Sequence, residues 1–359
     1  MDSRLLNPRK IPDNFRMQTY IEEALKNADR VLEKITRQEW IDLALTYMEK
    51  GDWNQATFCR GNAAKGVQSD SSEDREIKAT IHYISATTKR EQNDCEQAIR
   101  EYQEAEKLAQ SDWLKGNLIR NLGLVYLKQT EFTKAAEIFK QGVEFLEGKS
   151  EFAGSLPAMK NYHALTKTRA ALKDKKDSHE GLKLFAETTA LYEKIFAERN
   201  ISENEKLKSH DFQSHQFHRG MILCEIAESE NKDNKSKEKF LQAEELLIGA
   251  FRGRKENKAD GQRLGDTAVW LGRVAVGLNN LEIAKNYFEQ ALEFYREVFP
   301  SKLDAPEAKQ IQDVKARLEK LKLFMETQNY QLSKQNTFAQ VLIVQPAVTQ
   351  ELRRCRPMM

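Results

Sequence analysis

The stretch Asn117–Glu147, NLIRNLGLVYLKQTEFTKAAEIFKQGVEFLE, decides the fold. Each half repeats apolar residues at the three- and four-residue spacing that places them on one face of an α-helix. The polar residues between the halves, Lys128–Glu131, have the length of a turn that joins two antiparallel helices. We therefore predict two helices that pack against each other along their apolar faces.

Small and large residues occupy defined positions in this helix pair. Leu122 and Gly123 are followed by Tyr126 in the first half, and Ala135 is followed by Phe139 in the second. This resembles the signature of the tetratricopeptide repeat, W-x2-L-G-x2-Y followed by A-x3-F. The resemblance implies a scaffold of helix pairs that binds peptides or proteins. It also implies that the paired helices approach closely at Gly123.

The pattern recurs along the chain in pairs of a small and a larger residue four positions apart: Ala56/Arg60, Ala98/Tyr102, Ala135/Phe139, Gly181/Phe185, Ala243/Leu247 and Ala284/Phe288. We predict an all-α, right-handed α-solenoid of about six helix pairs across residues 39–300. The repeat is degenerate between residues 149 and 239, where periodicity alone supports the register. Polar loops are expected at residues 65–75 and 230–238.

Segments outside the repeats complete the predicted organisation. Residues 1–38 form a helical N-terminal cap around the amphipathic stretch Thr19–Ile35, and residues 301–333 form a charged C-terminal capping helix. Residues 334–359 fit no repeat and combine the short run Val341–Val344 with a basic end, so we expect a flexible tail. The alternatives are a segment that docks in the protein's own groove and a frame artefact.

Composition limits the class of protein. The 359 residues carry 57 basic and 55 acidic side chains, a net charge of +2 that gives no overall indication of nucleic acid. We find no signal-peptide pattern and no stretch that would span a bilayer. The four cysteines are far apart in sequence and are expected to be reduced thiols. These features predict a cytoplasmic protein with no membrane partner.

No motif for catalysis or for cofactor binding is present. The phosphate-binding, dinucleotide-binding, serine-hydrolase and zinc-protease patterns are all missing, so we predict no enzyme, no catalytic residues and no cofactor. His210, His215 and His218 form H-x4-H-x2-H, but only the last two share a helical face. No further ligand completes a set, so we expect ordinary surface or half-buried histidines and no metal site.

The first helices of the central repeats carry charges of a single sign. The stretches Lys78–Arg90, Lys115–Lys128 and Lys160–Lys173 hold ten Lys or Arg residues and no Asp or Glu, while the second helices are acidic on balance. The family resemblance implies that first helices line a concave groove. We therefore predict a peptide-binding groove formed by Tyr83, Arg90, Asn117, Arg120, Asn121, Leu124, Lys128, Thr166, Lys167 and Lys173.

Such a groove suits an acidic partner segment or a C-terminal carboxylate, because Arg and Lys form charge-assisted hydrogen bonds with carboxylates. Few aromatic residues accompany these cations, which disfavours nucleic acid as the partner. The predicted function is a non-catalytic adaptor, co-chaperone or regulator. Alternatives are a peptide-responsive regulator whose curvature changes on binding, and a structural scaffold that forms a homodimer through its end helices.

Overall fold

The computed structural model describes residues 35–65, 71–230, 234–298 and 310–327, and these are helices and short connections without a β-strand. This agrees with the predicted all-α class of helical-repeat proteins. The chain divides into two compact units, one up to Ile222 and the other from Leu223. The predicted helix Thr19–Ile35 and the tail 334–359 lie outside the described residues, apart from Ile35 itself.

The first unit is a series of helices. From the first helix to the eighth, each one packs against the next in sequence. Its helices are α1 Arg37–Glu49, α2 Trp53–Ala63, α3 Ser72–Glu91, α4 Cys95–Leu108, α5 Asp112–Lys128, α6 Phe132–Leu146, α7 Leu156–Lys173, α8 His179–Glu198, α9 Glu203–Lys208 and most of α10 His210–Ser229. The odd-numbered helices α1, α3 and α5 also contact one another in order. We call α3, α5 and α7 the front helices.

Hydroxyl and carboxylate N-caps set where these helices begin. The Ser71 side chain accepts a hydrogen bond from the Asp74 amide, and Ser111 does the same for the Leu114 amide. The predicted loop 65–75 is therefore too long, because α3 already starts at Ser72. The predicted loop 230–238 is also too long, because helix Asn234–Glu256 occupies its second half.

The α5–α6 pair has the close contact expected at Gly123. A Cβ built on Gly123 would lie 2.7 Å from the ring atom Cζ of Phe139. Phe139 and Ala135 are fully buried in the cluster between these helices. The first helix can approach the Phe139 ring because its backbone carries no side chain at this point.

The α7–α8 pair falls in the region predicted to be degenerate, and it packs more tightly still. A Cβ on Gly181 would clash with the Thr168 hydroxyl and lie 3.0 Å from the Thr168 backbone Cα. Both Thr168 and Phe185 are fully buried. The structure therefore has a helix pair here, with the glycine at the contact on the second helix instead of the first.

The second unit contains the rest of α10, α11 Asn234–Glu256, α12 Gly261–Gly277, α13 Leu281–Val298 and α14, residues 310–327. α12 pairs with α13, and a Cβ on Gly272 would lie 2.6 Å from the Phe288 ring. The Tyr295 hydroxyl donates a 2.6 Å hydrogen bond to Asp266, which joins the same two helices. α14 covers this pair with Ile311, Val314, Leu318 and Leu321, all of them buried.

The described cysteines are free thiols. Cys59 and Cys224 are buried, and Cys95 is half-buried. Burial, and secondarily the charge of Asp52, raises the pKa of Cys59 to about 12, so its thiol stays protonated at neutral pH. These side chains pack as small apolar groups. Cys355 lies outside the described residues.

Candidate functional site

The ten predicted groove residues lie on the front helices, and we call them the front-helix stripe. Four of the ten, Tyr83, Asn117, Asn121 and Thr166, are buried, and Thr166 has no exposed surface. Tyr83 packs its ring edge-on against Trp113, with 6.3 Å between ring centroids. The Tyr83 ring is therefore part of the interhelical core and leaves little apolar surface exposed.

Four residues of the stripe form a hydrogen-bonded network that joins α3 to α5. Asn121 donates through Nδ2 to the Asn117 carbonyl at 2.8 Å and to the Tyr83 hydroxyl at 3.3 Å. Its Oδ1 accepts a hydrogen bond from Nη1 of Arg90. Arg90 also binds the Glu91 carboxylate. Asn121 thus fixes the position of one guanidinium group on the stripe.

Two guanidinium groups act on the same tyrosine. Burial raises the pKa of Tyr83, and the positive charges of Arg90 and Arg120 oppose this shift. The charge of Arg120 also acts on Tyr192 of α8, whose pKa burial raises well above the usual value. Arg120 therefore contributes positive potential to the middle of the stripe.

Arg120 differs from Arg90 in having no compensating partner in the described part of the chain. Its Nε is buried without a hydrogen-bond acceptor, and the side chain as a whole is half-buried. No described carboxylate forms an ion pair with its guanidinium group. A half-buried cation without a counterion is unfavourable, and an anionic ligand would relieve that cost.

Lysines at the ends of the front helices add two more uncompensated charges. Lys128 Nζ donates to the Arg90 carbonyl at 2.8 Å, and Lys173 Nζ donates to the Thr130 carbonyl at 3.2 Å. Each lysine thus satisfies a backbone acceptor at the C-terminal end of the preceding front helix or in the turn after it. This position is favourable for a cation. Neither lysine pairs with a described carboxylate, so both keep their full charge.

The remaining stripe residues contribute less to an open cationic surface. Lys167 forms a 3.1 Å ion pair with Glu180 of α8, which offsets its charge. Thr166 donates its hydroxyl to the Tyr162 carbonyl at 2.8 Å. Leu124 is half-buried against the α5–α6 cluster and retains an accessible apolar surface.

Two histidines of H-x4-H-x2-H, His215 and His218, form polar contacts between α10 and the helices α7 and α8, whereas His210 is half-buried and takes no part in them. His215, expected at or near the surface, is only 1% exposed, and its ring lies 3.2 Å from Asn161 Oδ1 and 2.9 Å from Thr189 Oγ1. His218 Nδ1 lies 2.8 Å from Nδ2 of the same Asn161. Burial, reinforced by the charge of Arg219, lowers the pKa of His215 to about 3. His215 is therefore a neutral core residue.

The front helices are not purely basic, which corrects the charge pattern drawn from the sequence. α3 begins with Glu73, Asp74 and Glu76, and α5 begins with Asp112. The sequence windows started at Lys78 and Lys115 and so missed these first turns. The capping serines followed by acidic residues were the signal that could have revealed them.

Two other classes of site are absent from the described residues. No described helix combines the length and low charge needed to cross a bilayer. Within the same residues, no group of three or more His, Cys, Asp or Glu side chains is arranged to hold a metal ion.

Comparison with known proteins gives one match in sequence and several in fold. A family profile described as "Tetratricopeptide repeat" matches residues 266–297, which span most of α12 and α13. A comparison with curated proteins finds no matching sequence.

Among solved structures, the apo form of RapI matches with a TM-score of 0.53 and 15% identity, over 78% of this chain and 89% of that one. The apo form of the quorum sensor NprR from B. thuringiensis matches with a TM-score of 0.52 and 14% identity, over 86% of this chain and 74% of that one. At identities this low, the structural matches support a shared fold alone. Together with the profile match and the helix pairs described above, they confirm the resemblance of this chain to the tetratricopeptide repeat family.

Proposed function

We propose that this protein is a non-catalytic scaffold that binds an acidic segment of a partner protein along the front-helix stripe. The main support for the proposal is the state of Arg120. Its guanidinium group is half-buried in the middle of the stripe and has no counterion among the described residues. Such a group favours an incoming carboxylate. The scaffold role covers an adaptor, a co-chaperone or a regulator.

The neighbouring groups favour a segment with several carboxylates. Arg90 is held in place by Asn121, and Lys128 and Lys173 keep uncompensated charges at the helix ends. Leu124 offers an apolar contact beside Arg120 on the same helical face. An extended segment with acidic residues and one or two apolar side chains would match this order of groups.

The fold supports the same class of function. Helical-repeat scaffolds present an extended surface built from successive first helices, and the NprR structure that matches this chain is that of a quorum sensor. A regulator that responds to a bound peptide is therefore the second candidate. In that case the segment bound on the stripe would also change the arrangement of the repeats.

The experiment uses the full chain and a short fluorescein-labelled peptide of alternating glutamate and leucine. Fluorescence anisotropy should show binding to the wild-type protein. Reversal of two inner charges, Arg120→Glu with Lys173→Glu, should weaken binding by about a hundredfold or more, because hydrogen bonds to charged groups contribute about 1.5–3 kcal/mol each. Added salt should also weaken binding, because it screens the exposed charges.

The matched control reverses two exposed charges on the second helix α6, Lys134→Glu with Lys140→Glu, and so makes the same change in net charge. This pair should leave the affinity within about twofold of wild type. Thermal melts identify any variant that is unfolded, and the milder pair Arg120→Gln with Lys173→Gln should still weaken binding by about tenfold. If the outer pair weakens binding and the inner pair does not, the segment does not bind on the front-helix stripe.

A further inference from the structure

The first unit also has a cavity, whose charge is opposite to that of the front-helix stripe. It has a volume of about 920 Å³ and opens where α3 and α5 begin, with α1 and the short 3-10 turn Ser150–Phe152 completing its walls. It shares no residue with the front-helix stripe. We call it the N-edge cleft.

The N-edge cleft is lined by five carboxylates and by no Lys, Arg or His: the acidic residues are Asp42, Glu73, Glu76, Asp112 and Glu151. Clefts lined by charges of one sign concentrate ligands of the opposite sign. A negative surface here is partly explained by the helix starts, since carboxylates are favourable in the first turn of a helix.

Three of these carboxylates already have partners. Glu76 accepts hydrogen bonds from the Gln110 amide, at 2.7 Å, and from Ser111, so it caps the start of α5. Asp112 pairs with Lys149 at 2.7 Å, and Asp42 accepts a 2.8 Å hydrogen bond from Gln38. Lys149 offsets the charge of Asp112, whereas the donors to Glu76 are neutral groups that hold its carboxylate in place.

Glu73 and Glu151 are exposed, and neither pairs with a cation in the ranges that the structure describes. They belong to different elements, one at the start of α3 and the other in the 3-10 turn before α7. Two uncompensated carboxylates on the lining of one cleft leave it with a net negative charge. A cationic group that enters the cleft would be attracted to both.

The lining of the cleft is not wholly acidic. Ile41, Ile77 and Phe152 supply buried apolar surface, and Leu45 and Trp113 are half-buried. An indole next to carboxylates suits Arg or Lys, because a cation is attracted to the face of an aromatic ring. A simple metal ion or a small amine would leave the apolar surface uncovered.

We propose that the N-edge cleft binds a basic segment of a partner protein, with an Arg or Lys side chain between Glu73, Glu151 and Trp113 and an apolar side chain on Ile41 and Leu45. Charge complementarity selects this occupant, since an acidic segment would be repelled. The apolar lining favours a segment that carries an apolar side chain next to its Arg or Lys. The protein therefore offers two sites of opposite charge on the helices of its first unit.

The test uses the full chain and a short fluorescein-labelled peptide of alternating arginine and leucine. We expect the double variant Glu73→Lys with Glu151→Lys to weaken its binding by about tenfold or more. Glu137→Lys with Glu144→Lys makes the same change in net charge at two exposed positions of α6 and should leave the affinity within about twofold. Trp113→Leu keeps an apolar side chain and should weaken binding by about two- to fivefold.

Three outcomes would overturn the proposal. Equal weakening by the two double variants would show diffuse attraction with no site at the cleft. Binding that occurs only after removal of residues 1–34 would show that the protein's own N-terminal segment occupies the cleft. A dimer that light scattering detects in the wild type and that Glu73→Lys with Glu151→Lys separates into monomers would show that a second copy occupies it.

Discussion

The helix pairs α5–α6 and α7–α8 are both closely packed, but the glycine at the contact lies on opposite helices of the pair. In α5–α6 the first helix contributes Gly123, and the second contributes Ala135 and the Phe139 ring. In α7–α8 the first helix contributes the larger Thr168, and the second contributes Gly181. The small residue has moved from one helix to the other.

The difference shows that a close helix contact can be made with the glycine on either of the two helices. It also predicts that the two glycine positions differ in how well they tolerate a larger residue. A larger residue at Gly123 meets ring atoms of Phe139, whereas one at Gly181 meets the Thr168 side chain and also its backbone Cα, which cannot move without shifting α7.

The largest expected effect follows from that difference. Gly181→Leu should destabilise the protein by about 3 kcal/mol or more, and Gly123→Leu by about 1–3 kcal/mol, because overpacking a close helix contact forces strain. Urea unfolding monitored by circular dichroism measures both. The control is Gly61→Ala in α2, where an added Cβ would have no atom of a packed neighbour within 4 Å. This change should be neutral or stabilising. Equal losses at Gly123 and Gly181 would contradict the distinction between side-chain and backbone contact.

The two regions should also respond differently to acid, because α7 and α8 surround the buried His215. Its folded-state pKa of about 3 lies below its value in the unfolded chain, so the unfolded state binds the extra proton first. Stability from this group is complete above about pH 6.5 and is lost as the pH falls towards 3, with a slope of at most about 1.4 kcal/mol per pH unit.

Urea unfolding between pH 7 and pH 4 measures this dependence. The variant His215→Gln should have a shallower slope than wild type, even if its stability at pH 7 is lower. Identical slopes would show that His215 is accessible to protons in the folded state.

The smallest expected effect is a coupling between Thr168 and Gly181. Gly181→Ala should be destabilising on its own, and Thr168→Ala should recover part of that loss when the two are combined, since the hydroxyl is then absent. A double-mutant cycle should give a coupling free energy of about 1 kcal/mol. Additive losses would indicate that the two side chains do not compete for the same space.

Much of the fold could be predicted from the sequence because helical periodicity survives the loss of signature residues. Phe185 and Tyr192 kept the apolar face of α8 recognisable without an Ala at position 181. The first residues of α3 and α11 were predicted less accurately from the sequence. Polar first turns look like loops when only apolar spacing is considered.

The site was predicted less completely, for a physical reason. Sequence spacing places Asn117, Arg120 and Leu124 on one helical face, but it does not give their depth. Asn117 and Tyr83 are largely buried, while Arg120 is half-buried without a described counterion. The acidic N-edge cleft was missed because its residues come from four separate elements that only the folded structure brings together.

The most direct test of the account is to locate a bound acidic segment. A peptide of alternating glutamate and leucine that carries a photoreactive group would be cross-linked to the full chain, and the attachment points would be mapped by mass spectrometry. We predict cross-links within α5 and α7, around Arg120, and their loss in the variant Arg120→Glu with Lys173→Glu. Cross-links concentrated on α6 and α8, unchanged by that variant, would contradict the claim that the front-helix stripe is the binding site.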